Sequence, residues 1–251
     1  MRNATIAIAL GVCALGASSA QAQNDTERVN RVLRLDPGGT LRLKTFSGHV
    51  TITGSDRPDV VIDAVRRAPR ERLDRITLDI HTEGSTIVVD ANHHDRSDRN
   101  ENNNVVETDF DIKVPARTNL DLNGFSSPID VTGVEGSHNV HTFSSRVKLD
   151  DVTGPVDAHT FSGDVEIRTR TWQDGQTIDV DTFSGSIRLR VPDSARGRVR
   201  FNSFSGRLTS DMPLTLRSSS RRSFDATLGG GDSSGGNVSL KTFSGDARIE
   251  R

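Results

Sequence analysis

Seven copies of Phe-Ser-Gly or Phe-Ser-Ser, beginning at Phe46, Phe125, Phe143, Phe161, Phe183, Phe204 and Phe243, hold seven of the ten phenylalanines in the chain. A tripeptide repeated this way constrains the fold strongly, because each copy must return the backbone to one local conformation. Aligned on the phenylalanine, the fifth preceding position reads Leu41, Leu120, His138, Val156, Ile178, Val199 and Val238. The third preceding position reads Leu43, Leu122, Val140, Ala158, Val180, Phe201 and Leu240, and the position just before the ring is Thr45, Gly124, Thr142, Thr160, Thr182, Ser203 and Thr242. Apolar and β-branched residues at alternate positions predict a strand with one buried face. After the ring, the fourth position (Val50, Ile129, Val147, Val165, Ile187, Leu208, Ala247) and the sixth (Ile52, Val131, Leu149, Ile167, Leu189, Ser210, Ile249) predict a second strand.

Alternate side chains of a strand point to opposite faces, so a regular strand keeps odd and even offsets on separate sides. Here the inward offsets are odd before the motif and even after it. One residue is therefore inserted, and the chain must bend at the Phe-Ser-Gly step, an arrangement that would let both the threonine and the phenylalanine face inward. Gly48, Gly163, Gly185, Gly206 and Gly245 suit a corner that needs positive φ or close backbone approach, although Ser127 and Ser145 stand there in two copies.

From Phe125 to Phe204 the repeats are 18, 18, 22 and 21 residues apart, room for two short strands and two turns. The expected fold is all-β: a single-stranded parallel β-helix, or β-solenoid, with short coils of about 18–22 residues and an irregular N-terminal β section. The alternative is an antiparallel meander in which each Phe-Ser-Gly closes a hairpin. Outward positions favour stacking, because five residues after the ring the successive copies read Asp130, Lys148, Glu166 and Arg188, alternating in sign. Stacked coils would gather the seven phenylalanines into a buried column that serves as a spine.

Arg2, the apolar run from Ala4 to Ala17 and the sequence Ala20-Gln21-Ala22 read as a cleavable signal peptide over residues 1–22, which predicts export to the periplasm, cell envelope or exterior. The apolar run is shorter than the roughly 20 residues a spanning helix needs, and no second one follows, so no transmembrane segment is expected in the mature chain. Cys13, the only cysteine, lies in this leader, which leaves no thiol for a disulfide, a Cys-based zinc site or a nucleophile. With 32 Lys and Arg against 34 Asp and Glu and no long run of either sign, nucleic acid is an unsuitable partner. The expected organisation is an irregular β section over 23–115 and regular repeats over 116–251, interrupted at 218–237 by a Ser/Gly-rich insertion. Val60–Val65, Ile76–Ile80, Ser85–Val89 and Phe110–Val114 read as strands of the first part, with a short helical turn near Arg70–Leu73 and a polar loop from His93 to Asn104.

The pattern apolar-x-apolar-x-Thr-Phe-Ser-Gly-x-apolar-x-apolar, the run Asp109-Phe110-Asp111-Ile112-Lys113-Val114-Pro115, and Leu228-Gly229-Gly230-Gly231 followed by Val238 to Ile249 resemble the bacterial putative adhesin family, catalogued as domain of unknown function 4097. The resemblance covers roughly residues 30 to 251. It implies a β-helical, envelope-associated protein without enzymatic activity, and it supplies no catalytic residue. The partner would be an envelope protein or glycan. A regulatory role in envelope stress is a further analogy.

Several side chains invite chemical readings. His141 and His159 share the column two before the ring, with Asp181 next, and two imidazoles and a carboxylate suit a transition metal. A solvated face explains them equally well, since Lys44, Asn123, Asn202 and Lys241 fill the rest of that column. His93, His94, Asp95 and Asp98 have similar chemistry but lie in the polar loop. Asp150 and Asp151 raise the alternative of a carbohydrate-active β-helix enzyme, a polysaccharide lyase or hydrolase, and the lone Trp172 could stack on a sugar. Gly229–Gly236 lacks the spacing of a phosphate loop and reads as a linker. The serine following each ring, Ser47 to Ser244, has no repeated base nearby and reads as a turn residue rather than a nucleophile. No catalytic, cofactor or metal residue is expected; the residues singled out are the seven phenylalanines and five glycines of the repeat.

Overall fold

The computed structural model describes residues 24–93, 105–229 and 235–251; the leader and most of the polar loop read from the sequence, including His94, Asp95 and Asp98, lie outside them. The elements are β1 (Asp25–Arg34), β2 (Thr40–Ser47), β3 (Val50–Ser55), β4 (Asp59–Ala68), α1 (Arg70–Arg75), β5 (Thr77–Glu83), β6 (Thr86–His93), β7 (Glu107–Pro115), β8 (Asn119–Ser126), β9 (Ile129–Thr132) and β10 (His138–Thr142). They continue with β11 (Val147–Val152), β12 (Val156–Ser162), β13 (Val165–Thr169), β14 (Thr177–Ser184), β15 (Ile187–Arg190), β16 (Gly197–Ser203), β17 (Leu208–Ser210), β18 (Leu214–Ser219), β19 (Ser223–Leu228), β20 (Gly236–Ser244) and β21 (Ala247–Glu250).

Two largely parallel sheets result, in a β-solenoid-like, all-β fold. One sheet runs β1-β4-β7-β3-β9-β11-β13-β15-β21-β17, the other β18-β19-β16-β20-β14-β12-β10-β8-β2-β6-β5. Each repeat places the strand before the Phe-Ser-Gly in the second sheet and the strand after it in the first. Equivalent residues stack in register, as in Val147 between Ile129 and Val165. The pairing is parallel, not that of a meander. Lys148 lies opposite Asp130 and Glu166, and Glu166 opposite Arg188, so the alternating charges of the sequence are neighbours.

Inward residues of both sheets form one continuous apolar core, with Leu41, Leu43, Ile52, Ile112, Leu122 and Leu149 fully buried. A small second cluster, Ala68, Leu73, Ile76 and Val106, lies beneath α1. At both ends the parallel order gives way to antiparallel strands: β1 and β4 beside β7, β5 beside β6, and β19 and β18 beside β16. These strands close the stack. Arg66 of β4 is buried there and donates to Glu27 of β1 and to the Ile76 carbonyl.

Spatial order departs from sequence order at two places. The coil β2–β3 lies between β6–β7 and β8–β9, which follow one another in the chain, and the last coil, β20–β21, lies between β14–β15 and β16–β17. In the second sheet the ring order is consequently 46, 125, 143, 161, 183, 243, 204. Inserting β21 next to β15 sets Arg248 opposite Arg188. Glu250 resolves this like-charge contact: its carboxylate lies 3.5 Å from Arg188, 2.7 Å from Arg190 and 2.9 Å from Arg248. Glu250→Gln is expected to lower stability by about 1 kcal/mol, more at low salt than at high, as read by urea denaturation at two ionic strengths.

The repeated corner answers the question the glycines raised. Among the five, Gly48 has a positive φ, 107°, and the other four do not. What they share is close approach. A Cβ on Gly163 would lie 2.0 Å from the Ser145 carbonyl oxygen, one on Gly185 2.0 Å from that of Gly163, and one on Gly245 2.0 Å from that of Gly185. Where serine replaces glycine, at Ser127 and Ser145, the side chain is buried instead.

Candidate functional site

The phenylalanines do form a column, but on the outside. In β2 the burial alternates regularly, with Leu41, Leu43 and Thr45 inward and Lys44 and Phe46 outward. The strand stays regular through the ring, so the inserted residue falls after it, in the Ser-Gly corner. The expectation of a buried phenylalanine spine is thereby corrected: the seven motif rings are 40–52% exposed, and the inner position at the end of each strand belongs to the threonines. Thr45, Thr142, Thr160, Thr182 and Thr242 are all buried, with Ser203 in the same column.

Neighbouring rings lie 4.5–5.0 Å apart with planes within 13° of parallel. That separation follows from the spacing of hydrogen-bonded strands, which stacks every outward column at about 4.8 Å. The ladder extends roughly 29 Å, six such steps. Because the faces cover one another, solvent meets ring edges. At one end the Arg222 guanidinium sits over Phe204, 4.2 Å from its centroid; beyond Phe46, at the other end, β6 carries no phenylalanine. A depression of about 520 Å³ flanks the Arg222 end, lined by Phe183, Phe243, Phe204, Asp181, Lys241 and Arg222.

A half-exposed ring stabilises less than a buried one. Phe161→Ala is expected to cost about 2 kcal/mol in chemical denaturation, below the 3–5 kcal/mol of a fully buried ring, because the loss comprises two stacking contacts and part of the apolar burial.

Beside the ladder runs the column of His141 and His159, whose rings stack at 5.1 Å. His159 lies opposite Asp181 in the neighbouring strand, but its Nε2 pairs with Asp157 at 2.6 Å. Among the described residues, no group of three or more His, Cys, Asp or Glu is placed to hold a metal ion. Asp150 and Asp151 are both tied to arginines. A hydrogen bond from Arg168 holds the Asp150 carboxyl below the usual carboxylate range, and one from Arg170 at 2.7 Å does the same for Asp151. A general acid needs the opposite shift, toward neutral pH, so neither carboxylate is tuned for that role. Trp172 is not a free platform: its Nε1 donates to the Arg196 carbonyl at 2.7 Å, and the indole packs against the core. Motif serines link coils through their backbones, as where Ser162 N donates to the Phe143 carbonyl, and Ser205 also donates its Oγ to the Phe243 carbonyl at 3.5 Å. No helix among the described residues is long and apolar enough to cross a membrane.

Two parallel sheets joined by a repeated glycine corner, with the repeat running through the chain, set the context for comparison with known families. The Toastrack DUF4097 profile matches residues 40–250. The chain belongs to that family. The match spans every coil of this toastrack fold, including the β6–β7 coil that lacks the aromatic motif. A putative cell adhesion protein from Clostridium sporogenes is similar in structure at 10% identity and a TM-score of 0.49, over 89% of this chain and 99% of the other. Putative adhesins from Bacteroides fragilis (11% identity, TM-score 0.30, 89% and 96% covered) and Parabacteroides merdae (7%, 0.33, 92% and 97%) also align. A comparison with curated proteins found no match.

Sequence reasoning selected the right residues for the ladder and assigned them to the wrong side. The signal that places them was present, since the odd offsets before the ring are the inward ones and the ring itself is at offset zero. Arg222 was missed entirely: it lies in the Ser/Gly-rich segment 218–237 read as an insertion, and only the antiparallel return of β19 beside β16 carries it to the end of the ladder.

Proposed function

We propose that this chain is an exported, non-enzymatic, adhesin-like binding or scaffolding module of the bacterial cell envelope, built as a single-stranded parallel β-helix, and that its contact surface is the phenylalanine ladder. The observation that carries this reading is the exposure of seven stacked rings. Together they leave on the order of 600 Å² of aromatic surface in water, at or above the largest apolar patch of a typical monomer. Threonine or serine on that column would keep the strand and be more soluble, so an apolar ridge of this length suits contact with a partner.

Ring orientation narrows the partner. Sugars stack on the faces of aromatic rings, and apart from the outer face of Phe46 the faces here are occupied by neighbouring rings or by Arg222. A ridge of ring edges instead suits apolar protein surface, so a protein of the envelope fits better than a glycan. Export rests on the leader at residues 1–22. Among the described residues, no geometry supports the reading as a carbohydrate-active enzyme.

The test is capture from envelope extracts by chemical crosslinking, comparing the protein with Phe161→Glu, which sets a charge in the middle of the ridge. A protein partner recovered by the first and lost by the second, with circular dichroism unchanged, is the expected result. Equal capture by both removes the ladder as the contact surface. Turnover of any polysaccharide, with or without calcium, overturns the non-enzymatic assignment.

A further inference from the structure

The last coil of the chain does not extend the stack; it fills a slot within it. β20 is parallel to both neighbours, with Val238 in register with Ile178 of β14 on one side and with Val199 of β16 on the other. β21 is likewise held between β15 and β17. The connection into the slot starts at Leu228 and ends at Gly236, and both lie opposite Gly197, on either side of β16. Those ends are two strand spacings apart, about 10 Å. The seven intervening residues, 229–235, could extend over roughly 25 Å.

We propose that the β20–β21 coil is exchangeable, and that the slot between β14–β15 and β16–β17 takes the same segment of a second copy, giving a reciprocally swapped dimer. The walls of the slot specify that occupant closely. Phe243 stacks at 4.8 Å from both Phe183 and Phe204. Lys241 pairs with Asp179 at 3.5 Å, and Glu250 serves Arg188 and Arg190 of the wall as well as Arg248 of its own strand. Glycine is required at two positions of the incoming strand pair. A Cβ at Gly245 would lie 2.0 Å from the Gly185 carbonyl oxygen, and one at Gly236 would lie 2.4 Å from the Trp172 ring. A strand from an unrelated protein would have to reproduce the ring, both charges and both glycines, and a second copy does so by identity.

Exchange keeps all of these contacts and, apart from the Glu250–Arg248 pair within β21, makes them between chains. The balance between monomer and dimer is then set by concentration and by how easily the connection crosses β16. The inference rests on strand order and on the contacts that line the slot, and it is independent of the ladder's role as a contact surface.

Deleting residues 229–234 leaves one residue between Leu228 and Gly236, a reach of about 7.6 Å, too short to cross β16. Light scattering after size exclusion should show the mass of this variant doubled, with a far-ultraviolet spectrum matching the parent. Combining the deletion with Phe161→Glu separates the two modes of association, since a swapped dimer survives that change and a ridge-mediated one does not. A folded, monomeric deletion variant overturns the proposal, as does a dimer that Phe161→Glu abolishes. Should the deletion variant fail to fold, the parent protein is refolded at low micromolar and at hundredfold higher concentration. A dimer fraction at least tenfold larger at the higher concentration, persisting on dilution, supports exchange; an all-monomer result at both overturns it.

Discussion

Gly185→Ala is expected to destabilise the protein by about 2–3 kcal/mol, although the same change at an unconstrained position would stabilise it by up to about 1 kcal/mol through the unfolded chain. The reason is steric and not conformational. Gly185 has no positive φ, so alanine can adopt its backbone angles, but the new Cβ would lie 2.0 Å from the carbonyl oxygen of Gly163 and 3.1 Å from Thr182 Oγ1. The oxygen belongs to the backbone of the adjacent coil, so relief requires coils to separate at the corner and weakens the strand pairing on both sides. Gly124 supplies the control. It stands where other repeats have threonine or serine, and the nearest atom to an added Cβ is 3.6 Å away, an ordinary contact. Gly124→Ala should therefore be neutral or slightly stabilising. Chemical denaturation of the two variants decides the matter, and equal effects would show that corner contact between coils is not what selects glycine.

The second large effect is a loss of stability in mild acid, assigned to His138. This residue occupies the inward position filled by leucine, valine or isoleucine in the other repeats and is 1% exposed. Neither ring nitrogen makes a well-formed hydrogen bond. Burial pushes its pKa down to about 4, with the backbone of Thr153 acting weakly in the opposite direction. An unfolded histidine titrates near 6.5, so between about pH 6.5 and 4 the unfolded chain binds the proton that the folded chain refuses. The stability present above pH 6.5 is lost as pH falls toward 4, by roughly 3 kcal/mol. Carboxylates with depressed pKa values, Asp109, Asp150, Asp151 and Asp225, act in the same direction at lower pH: their contribution is present above their unfolded values and is lost as pH falls through the folded ones. The windows are thus separable. His138→Val should flatten the stability profile between pH 6.5 and 4 and leave the steeper loss below it. A profile unchanged by that substitution would assign the mild-acid loss to other groups.

Much of the architecture was legible because the repeat is written on both faces of each strand. Inward columns gave the two sheets, and the sign alternation through Asp130, Lys148, Glu166 and Arg188 gave parallel stacking, since those residues do lie opposite one another. The strand segments and the helical turn read between Phe46 and Phe125 correspond to β4, α1, β5, β6 and β7. Two features were not legible. Hydrophobicity argued for burying phenylalanine, whereas strict alternation placed it outside, and alternation prevailed because the hydrogen-bonded register extends through the ring to Ser47 and Ser126. The order of coils was also hidden. Every copy carries nearly the same pattern, so Phe243 could follow Phe204 or precede it in the stack with similar local complementarity. Only the long segments between β3 and β6 and between β17 and β20 indicate where the winding is not sequential.

One consequence of that winding is optical. The chain has a single tryptophan and no tyrosine, and Trp172 lies against Gly236, the first residue of the last coil. One side of its indole is covered only when the β20–β21 coil is seated between strands that precede it in the chain. Tryptophan emission therefore reports that seating rather than formation of the sheets. During refolding, far-ultraviolet ellipticity should recover before the emission does, and the interval between the two is the time the chain takes to thread its end into its own interior.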